Sequence, residues 1–270
     1  MSGERGQFRF EYSSIFQDES VVRAYRYRPQ YPVATFDLLV ELLPANCRPR
    51  AVLDAGCGTG FVARPLAPLV DRVDAVDFSA AAIREGKRLP GGDHPGLRWI
   101  EGSVESAAVD PPYCLITAGA SLHWFSWDTA FPRFARLLAE DGLFVAVGME
   151  HERPEWMRAE LGPVLARYSM NKEFAPYSAA GILAGLEKGG LFRQMGSAQT
   201  DMIEWRQPVS EWVESIHARN GFSRDRMDPG LAAEADALFA EIASRHADGG
   251  DGVITHRYAG TLLWGRPLPG

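Results

Sequence analysis

Asp54-Ala55-Gly56-Cys57-Gly58-Thr59-Gly60 is the densest chemical signal in this sequence. Three alternating glycines follow an aspartate that ends a short apolar run, Ala51-Val52-Leu53. Glycine is needed where a backbone must turn sharply or approach a ligand closely. Between a strand and a helix, such a loop lies at the carboxyl edge of a sheet, where open α/β sheets bind ligands. The helix that follows offers free N–H groups and the positive end of its dipole. A second acid, Asp77, ends the next apolar run and precedes Phe78 and Ser79. A carboxylate at that place accepts hydrogen bonds from ribose hydroxyls. The loop and Asp77 together predict a nucleoside site.

Two frames of the glycines compete. Gly56 to Phe61 fails the G-x-G-x-x-G dinucleotide pattern at its last position, whereas Gly58 to Ala63 fits the looser G-x-G-x-x-A form. Asp54 tips the choice. A carboxylate beside a diphosphate adds repulsion, but it suits a cationic ammonium. S-adenosyl-L-methionine carries an ammonium, a carboxylate and a sulfonium, and no phosphate. The arrangement favours it, with S-adenosyl-L-homocysteine as the corresponding product. A nicotinamide-type oxidoreductase is the weaker reading. A protein that binds this cofactor without methylating is a third.

The elements that must position these residues can be read from periodicity. Short apolar runs predict strands near residues 51–54, 73–77, 97–100, 113–117 and 142–147, and helical stretches lie between them. Strands alternating with helices imply crossover connections and a parallel sheet. The expected fold is α/β: a Rossmann-like, seven-stranded, mostly parallel sheet with helices on both faces, an antiparallel final strand and a helical cap. Two late runs, Ala198 to Trp205 and Tyr258 to Trp264, predict the last strands. Pro65 and Pro68 predict a short or kinked helix after the glycine loop. Asp228 followed by Pro229 predicts the start of a helix with the apolar stripe Leu231, Ala235, Leu238, Phe239 and Ile242. We expect one domain over 1–270. Within it, 1–31 forms an N-terminal helical lid, 32–150 the cofactor-binding half, and 151–190 with 208–250 the cap.

Composition narrows the partners. A net charge of -7 in 270 residues argues against a nucleic acid held by phosphate contacts. No apolar run approaches the length of a membrane span, and no signal peptide is expected. Cys47, Cys57 and Cys114 are odd in number and lie at no metal or redox spacing, so reduced thiols and a cytoplasmic location are expected. His123, His151, His217 and His246 are scattered without ligand spacing, and no metal site is expected. The expected partner is a small-molecule acceptor, with the chain a monomer or homodimer.

Several segments resemble one family. Val52-Leu53-Asp54-Ala55-Gly56-Cys57-Gly58-Thr59-Gly60 and Ala75-Val76-Asp77-Phe78-Ser79 resemble the first two motifs of the class I S-adenosylmethionine-dependent methyltransferases. Thr117 to Phe125, Tyr25 to Pro32 and Leu263 to Pro267 resemble segments of their type 11, trans-aconitate methyltransferase-like branch. The resemblance implies that Gly56, Cys57, Gly58 and Gly60 surround the methionine portion, with Asp54 before them. It implies Asp77 on the ribose with Ser79 beside it, Phe78 beside the adenine, and Ser103 and Val104 along the adenine edge. Ala118 and His123 would border the sulfonium side, and Tyr25 and Arg28 would close over the cofactor. Ser103 stands where the family usually has aspartate, so a charged partner for the adenine amino group is missing there.

Methyl transfer needs alignment and exclusion of water more than a nucleophile from the protein. His123, after the fourth strand, is the candidate general base, weighed against a role in shaping the site. Tyr31, Trp124, Glu150, His151 and Trp156 are candidates for contacting the acceptor. Tyr25, Tyr27, Tyr31, Trp124, Phe125 and Trp127 divide between cation–π contacts near a sulfonium and core packing. Arg206, Arg219 and His217 could receive an acidic acceptor, but solvation at the surface is the expected reading.

Overall fold

A computed structural model of the chain describes residues 14–173, 175, 177–248 and 252–270. In chain order its elements are α1 (Glu19–Ala24), a 3-10 turn (Tyr25–Tyr27), α2 (Val33–Glu41), β1 (Ala51–Ala55), α3 (Ala63–Leu66), β2 (Arg72–Asp77) and α4 (Ala80–Arg88). Next come β3 (Leu97–Glu101), β4 (Tyr113–Gly119), a 3-10 turn (Leu122–Trp124), α5 (Trp127–Leu137) and β5 (Leu138–Glu152). The remainder is α6 (Gly162–Tyr168), α7 (Ala179–Lys188), β6 (Phe192–Gln199), β7 (Ile203–Pro208), α8 (Val209–Ile216), α9 (Pro229–Arg245) and β8 (Val253–Pro267).

The sheet has eight strands in the order β3-β2-β1-β4-β5-β8-β6, and β7 pairs with β8. Strands β1 to β5 pair in parallel, while β6 and β7 run antiparallel to β8. The expected Rossmann-like sheet is present, with one strand more than expected. The run from Ala198 to Trp205 is not one strand: β6 ends at Gln199 and β7 begins at Ile203. Periodicity alone could not separate them, because both pair with β8, at different stretches of it.

The chain divides into two compact units. The first comprises 31–149, 176–201 and 259–270. Its central strands β1, β2 and β4 and the middle of β5 are buried on both faces, so they alternate between two cores. On β1, Ala51, Leu53 and Ala55 enter one cluster and Val52 the other. On β5, Phe144 and Ala146 take one side, and Val145 and Val147 the opposite. The first cluster is closed by Phe131 and Phe134 of α5, Leu183 and Leu186 of α7, and Phe192. The second is closed by Phe36 and Leu39 of α2 with Ala63 and Leu66 of α3. The cap expected over 151–190 therefore does not include α7. Its apolar residues fill the sheet core, which an apolar helical pattern by itself does not reveal.

Local signals explain the helix ends. Ser79 caps α4 by accepting from the Ala82 N–H at 3.1 Å. Helix α3 stops after four residues, as Pro65 and Pro68 require. The second unit comprises 14–30, 150–175 and 202–258 among the described residues. Asp228 caps α9, accepting from Gly230 and Leu231 N–H groups, with Pro229 in the first turn. Trp212, Val213 and Ile216 of α8 pack with Ala235, Phe239 and Ala243 of α9 and with Leu161 and Tyr168.

The cysteines depart from expectation. Cys47 and Cys114 are joined in a disulfide, and Cys57 alone is a free, buried thiol. The two partners are 67 residues apart in sequence and 5.8 Å apart between Cα atoms. Spacing along the chain could not show that the fold brings the Cys47 loop to the start of β4. Among the described residues, no helix is long and apolar enough to cross a membrane, and no group of three or more His, Cys, Asp or Glu could hold a metal.

Candidate functional site

Asp54 lies near the carboxyl end of β1, only 1% exposed. It pairs in register with Thr117 of β4. The Thr117 hydroxyl donates to Asp54 Oδ1 at 2.9 Å, and the Ala63 N–H donates to Oδ2 at 3.1 Å. Burial raises the Asp54 pKa to about 7, and the charge of Asp77 adds to the rise. The two hydrogen bonds oppose it without cancelling it.

Asp77 ends β2 and is also buried. It accepts from the Gly58 N–H at 2.7 Å and the Ser79 N–H at 2.8 Å. Burial pushes its pKa up as well, against those two bonds. Cys57 lies between the acids. Burial first, then the charges of Asp77 and Asp54, raise its thiol pKa, so it stays protonated and unreactive.

Two glycines in the loop do different work. Gly58 has φ +54, and a Cβ there would meet nothing within 4 Å. The loop turns at Gly58 and leaves open space beside it. Gly56 has φ +67, and a Cβ there would fall 2.6 Å from the Ser121 Cβ. Its missing side chain lets the segment after β4 come close, and the Ser121 hydroxyl donates to the Ala55 carbonyl at 2.7 Å. Next to Ser121, Ala120 has φ +53, a left-handed conformation unusual for alanine. Strain of this kind concentrates where surrounding structure imposes it, often at functional loops.

His123 follows in the 3-10 turn. It is 7% exposed, and burial pulls its pKa down to about 3. Its Nε2 is 2.9 Å from the Tyr177 hydroxyl, and its ring lies against Trp124 and Tyr177 at centroid distances of 4.6 and 4.5 Å. The imidazole is neutral at neutral pH.

The sheet-bearing unit thus gathers Asp54, Gly56, Cys57, Gly58, Gly60, Asp77, Phe78, Ser79, Ser103, Val104, Ala118, His123, Trp124 and Tyr31. Asp54 and Asp77 are linked through the loop and Ala118 is buried at the end of β4. Tyr31 is buried and donates its hydroxyl to the Val147 carbonyl at 3.3 Å. Ser103 is exposed, and its hydroxyl donates to Glu105. Phe125 is core, and Trp127 donates to the Leu122 carbonyl at 2.9 Å. Tyr25, Arg28, Glu150, His151 and Trp156 belong to the other unit. There Trp156 stacks on His246 at 4.8 Å and joins the apolar cluster. Glu150 is exposed, and His151 is half-buried with its pKa lowered to about 4.

Four contacts were outside the reach of sequence patterns: Thr117 on Asp54, Ser121 on Ala55, Tyr177 on His123, and Glu105 beside Ser103. The signal for Thr117 was the strand register, which places it opposite Asp54. His217 is not solvated as expected. It is 1% exposed and bridges the Phe222 carbonyl (2.8 Å) and Asp236 (2.6 Å).

The residues present fit a nucleoside with a cationic tail. Two buried carboxylates end neighbouring strands, the glycine loop lies between them, and space is open at Gly58.

Comparison with known proteins agrees. Residues 52–142 match the family model described as a methyltransferase domain. Over 102 residues the chain is 32% identical to a malonyl-[acyl-carrier protein] O-methyltransferase from Halalkalibacterium halodurans. That alignment covers 34% of this chain and 37% of the relative, so it spans just over a third of the relative's length. A candidate type II methyltransferase from Anaeromyxobacter dehalogenans has a similar structure, with 25% identity, 90% of this chain and 99% of the other covered, and a TM-score of 0.60. The YcgJ protein of Bacillus subtilis shares the fold at 17% identity, with 88% and 99% covered and a TM-score of 0.52. Residues 52–142 of this chain are thus similar to a methyltransferase domain, and the fold is similar to that of the Anaeromyxobacter protein over most of the chain.

Proposed function

We propose that the chain transfers a methyl group from S-adenosyl-L-methionine to a small-molecule acceptor. The observation that carries this reading is the pair Asp54 and Asp77, both buried at the ends of adjacent parallel strands, around a glycine loop with open space at Gly58. When bound, the cofactor supplies a methyl group activated on a sulfonium.

The chain's own residues bind and orient. Asp77 would hold the ribose hydroxyls, with Ser79 fixing its carboxylate through the backbone N–H. Asp54 would face the ammonium, anchored by Thr117 and Ala63. Gly56, Cys57, Gly58 and Gly60 would surround the methionine portion. Phe78, Ser103 and Val104 would border the adenine, with Glu105 supplying the carboxylate that position 103 lacks. Ala118 and His123 would line the sulfonium side, and Tyr25 and Arg28 would close over it. Tyr31, Trp124, Glu150, His151 and Trp156 are the proposed acceptor contacts.

His123 enters this proposal as a neutral group held by Tyr177 rather than as a base. With its pKa near 3, protonating it at pH 7 costs about 5 kcal/mol. Rate then comes from alignment and water exclusion. We propose a cytoplasmic enzyme, monomeric or homodimeric, without a nucleic-acid or membrane partner; the Cys47–Cys114 disulfide removes the reduced-thiol argument for that location.

The test is transfer of an isotopically labelled methyl group to a panel of oxygen, nitrogen, sulfur and carbon nucleophiles. Label should appear in at least one acceptor and vanish with Asp77→Ala. Cofactor binding with no labelled product from any acceptor would favour a binding role instead.

A further inference from the structure

The second unit contains cations that its described acids leave unpaired. Several arginines there have carboxylate partners. Arg224 bridges Glu214 (2.5 Å) and Asp236 (2.8 Å), Arg226 meets Asp18 at 2.6 Å, and Arg245 meets Glu160 at 2.8 Å. Arg28, Arg153 and Arg219 form no ion pair with any described residue.

Separate elements bring these three together. Arg28 follows the 3-10 turn Tyr25–Tyr27, which Gln207 pins by donating to the Tyr27 carbonyl at 2.7 Å. Tyr258 pins the same segment by donating to the Gln30 carbonyl at 3.0 Å. Arg153 leaves the end of β5, two residues after His151. Arg219 closes the turn after α8, its N–H donating to the Ile216 carbonyl at 3.0 Å. Arg219 keeps over a third of its surface open to water, yet burial and the charges of Arg28 and Arg153 lower its pKa to about 10. His151 feels Arg28, Arg153, His256 and Arg219, and His256 feels Arg219.

Aromatic rings and an idle polar atom accompany these cations in the same unit. The Trp205 ring is 5.4 Å from His256, the Tyr258 ring is 5.7 Å from His151, and Arg28 lies over Tyr25 at 5.6 Å. His256 Nε2 is buried with no hydrogen-bond partner. Clustered guanidinium groups repel one another, and an unpaired buried polar atom costs stability. Both costs disappear when an anion enters, because guanidinium groups bind carboxylates and phosphates in bidentate fashion.

We propose that Arg219, with Arg28 and Arg153 and the ring of His256, forms a binding site for an anionic group, carboxylate or phosphate, carried by the methyl acceptor. The link to the acceptor rests on the methyl-transfer reading; the anion site does not. Among the three residues the sequence offered for an acidic acceptor, the structure selects Arg219. It commits His217 to Asp236 instead.

The experiment is calorimetric titration with succinate and, separately, with inorganic pyrophosphate at low ionic strength. The proteins are wild type, Arg219→Gln, Arg219→Lys and Arg153→Gln. At least one probe should bind wild type at one site, and the tighter probe identifies the anion class. Arg219→Gln should weaken it at least tenfold, Arg219→Lys less; the unfolding midpoint should not fall in any variant, because losing a guanidinium relieves repulsion, and S-adenosylhomocysteine affinity should stay unchanged in each. The site is overturned if neither probe binds wild type or if Arg219→Gln binds equally well. In the labelled-methyl panel, acidic acceptors should be methylated and their neutral amides should not. Anion binding that depends on Arg219, with methylation of neutral acceptors only, keeps the site and overturns its link to the acceptor. Loss of S-adenosylhomocysteine binding in wild type defeats the methyl-transfer reading and leaves the anion result intact.

Discussion

Replacing Asp54 by Asn should make the ligand-free protein more stable at pH 8 while crippling its cofactor site. The reason is the carboxylate's environment. Its ordinary pKa of 3.8 rises to about 7 in the fold because burial penalises the charge. The folded state therefore holds the proton more tightly than the unfolded chain does. Stability from this group is fully present below pH 3.8 and is lost as pH rises through about 7. At about 1.4 kcal/mol per pH unit the whole loss is about 4 kcal/mol. About 2.5 kcal/mol of it falls between pH 5 and pH 8. An asparagine carries no such charge. Its oxygen can accept from the Ala63 N–H, but its amide faces the Thr117 hydroxyl, which must turn toward the Leu53 carbonyl 3.5 Å away. That rearrangement costs about 1 kcal/mol at every pH. Urea unfolding of both proteins, free of cofactor, at pH 5, 6, 7 and 8 reads the difference. The stability of Asp54→Asn relative to wild type should climb by about 2.5 kcal/mol across the series. A difference constant within about 0.5 kcal/mol would refute the reasoning, because no proton would then be linked to Asp54.

Three further outcomes follow from the same geometry. Because Asp54 must lose its proton to meet an ammonium, S-adenosylhomocysteine should bind about tenfold more tightly at pH 8 than at pH 6, measured by calorimetry. Asp74 is fully buried and accepts from Arg98 at 2.9 and 2.7 Å and from the Tyr113 hydroxyl. Asp74→Ala leaves the buried Tyr113 hydroxyl without its acceptor, while half-exposed Arg98 can turn to water, and should cost about 1–3 kcal/mol in urea unfolding, without a specific loss of cofactor affinity. Ala120→Gly relaxes the left-handed residue and should raise stability by about 1 kcal/mol; a lowered midpoint would show that the loop is not strained there.

How much of this was legible in the sequence depended on whether the cause was local. Gly58 and Asp77 declared themselves because a loop at a strand end needs those residue types at that spacing. Pro65 and Pro68 fixed the short α3, and Asp228-Pro229 fixed the start of α9, since caps and prolines act within one turn. The central parallel strands could be read because both faces are buried. Alternating entry into two cores leaves a nearly continuous apolar run. What escaped depends on residues far apart in the chain. Cys47 meets Cys114 across 67 residues, and α7 joins the sheet core through contacts its own pattern does not specify. Arg219 read as a solvated residue and is exposed, but the influence of Arg28 and Arg153 on it was hidden because they come from elements remote in sequence. His123 stood out in the sequence as a candidate, but its low pKa depends on enclosure that only the fold supplies.

The central claim is that the loop from Asp54 to Gly60, closed by Asp77, holds S-adenosylmethionine. Calorimetric titration of the wild-type chain with S-adenosylhomocysteine, S-adenosylmethionine and NAD tests it most directly. The account predicts one site for each of the first two, none for NAD, and loss of binding in Asp77→Ala. Absence of heat with both sulfur ligands, or saturable binding of NAD in their place, would contradict it.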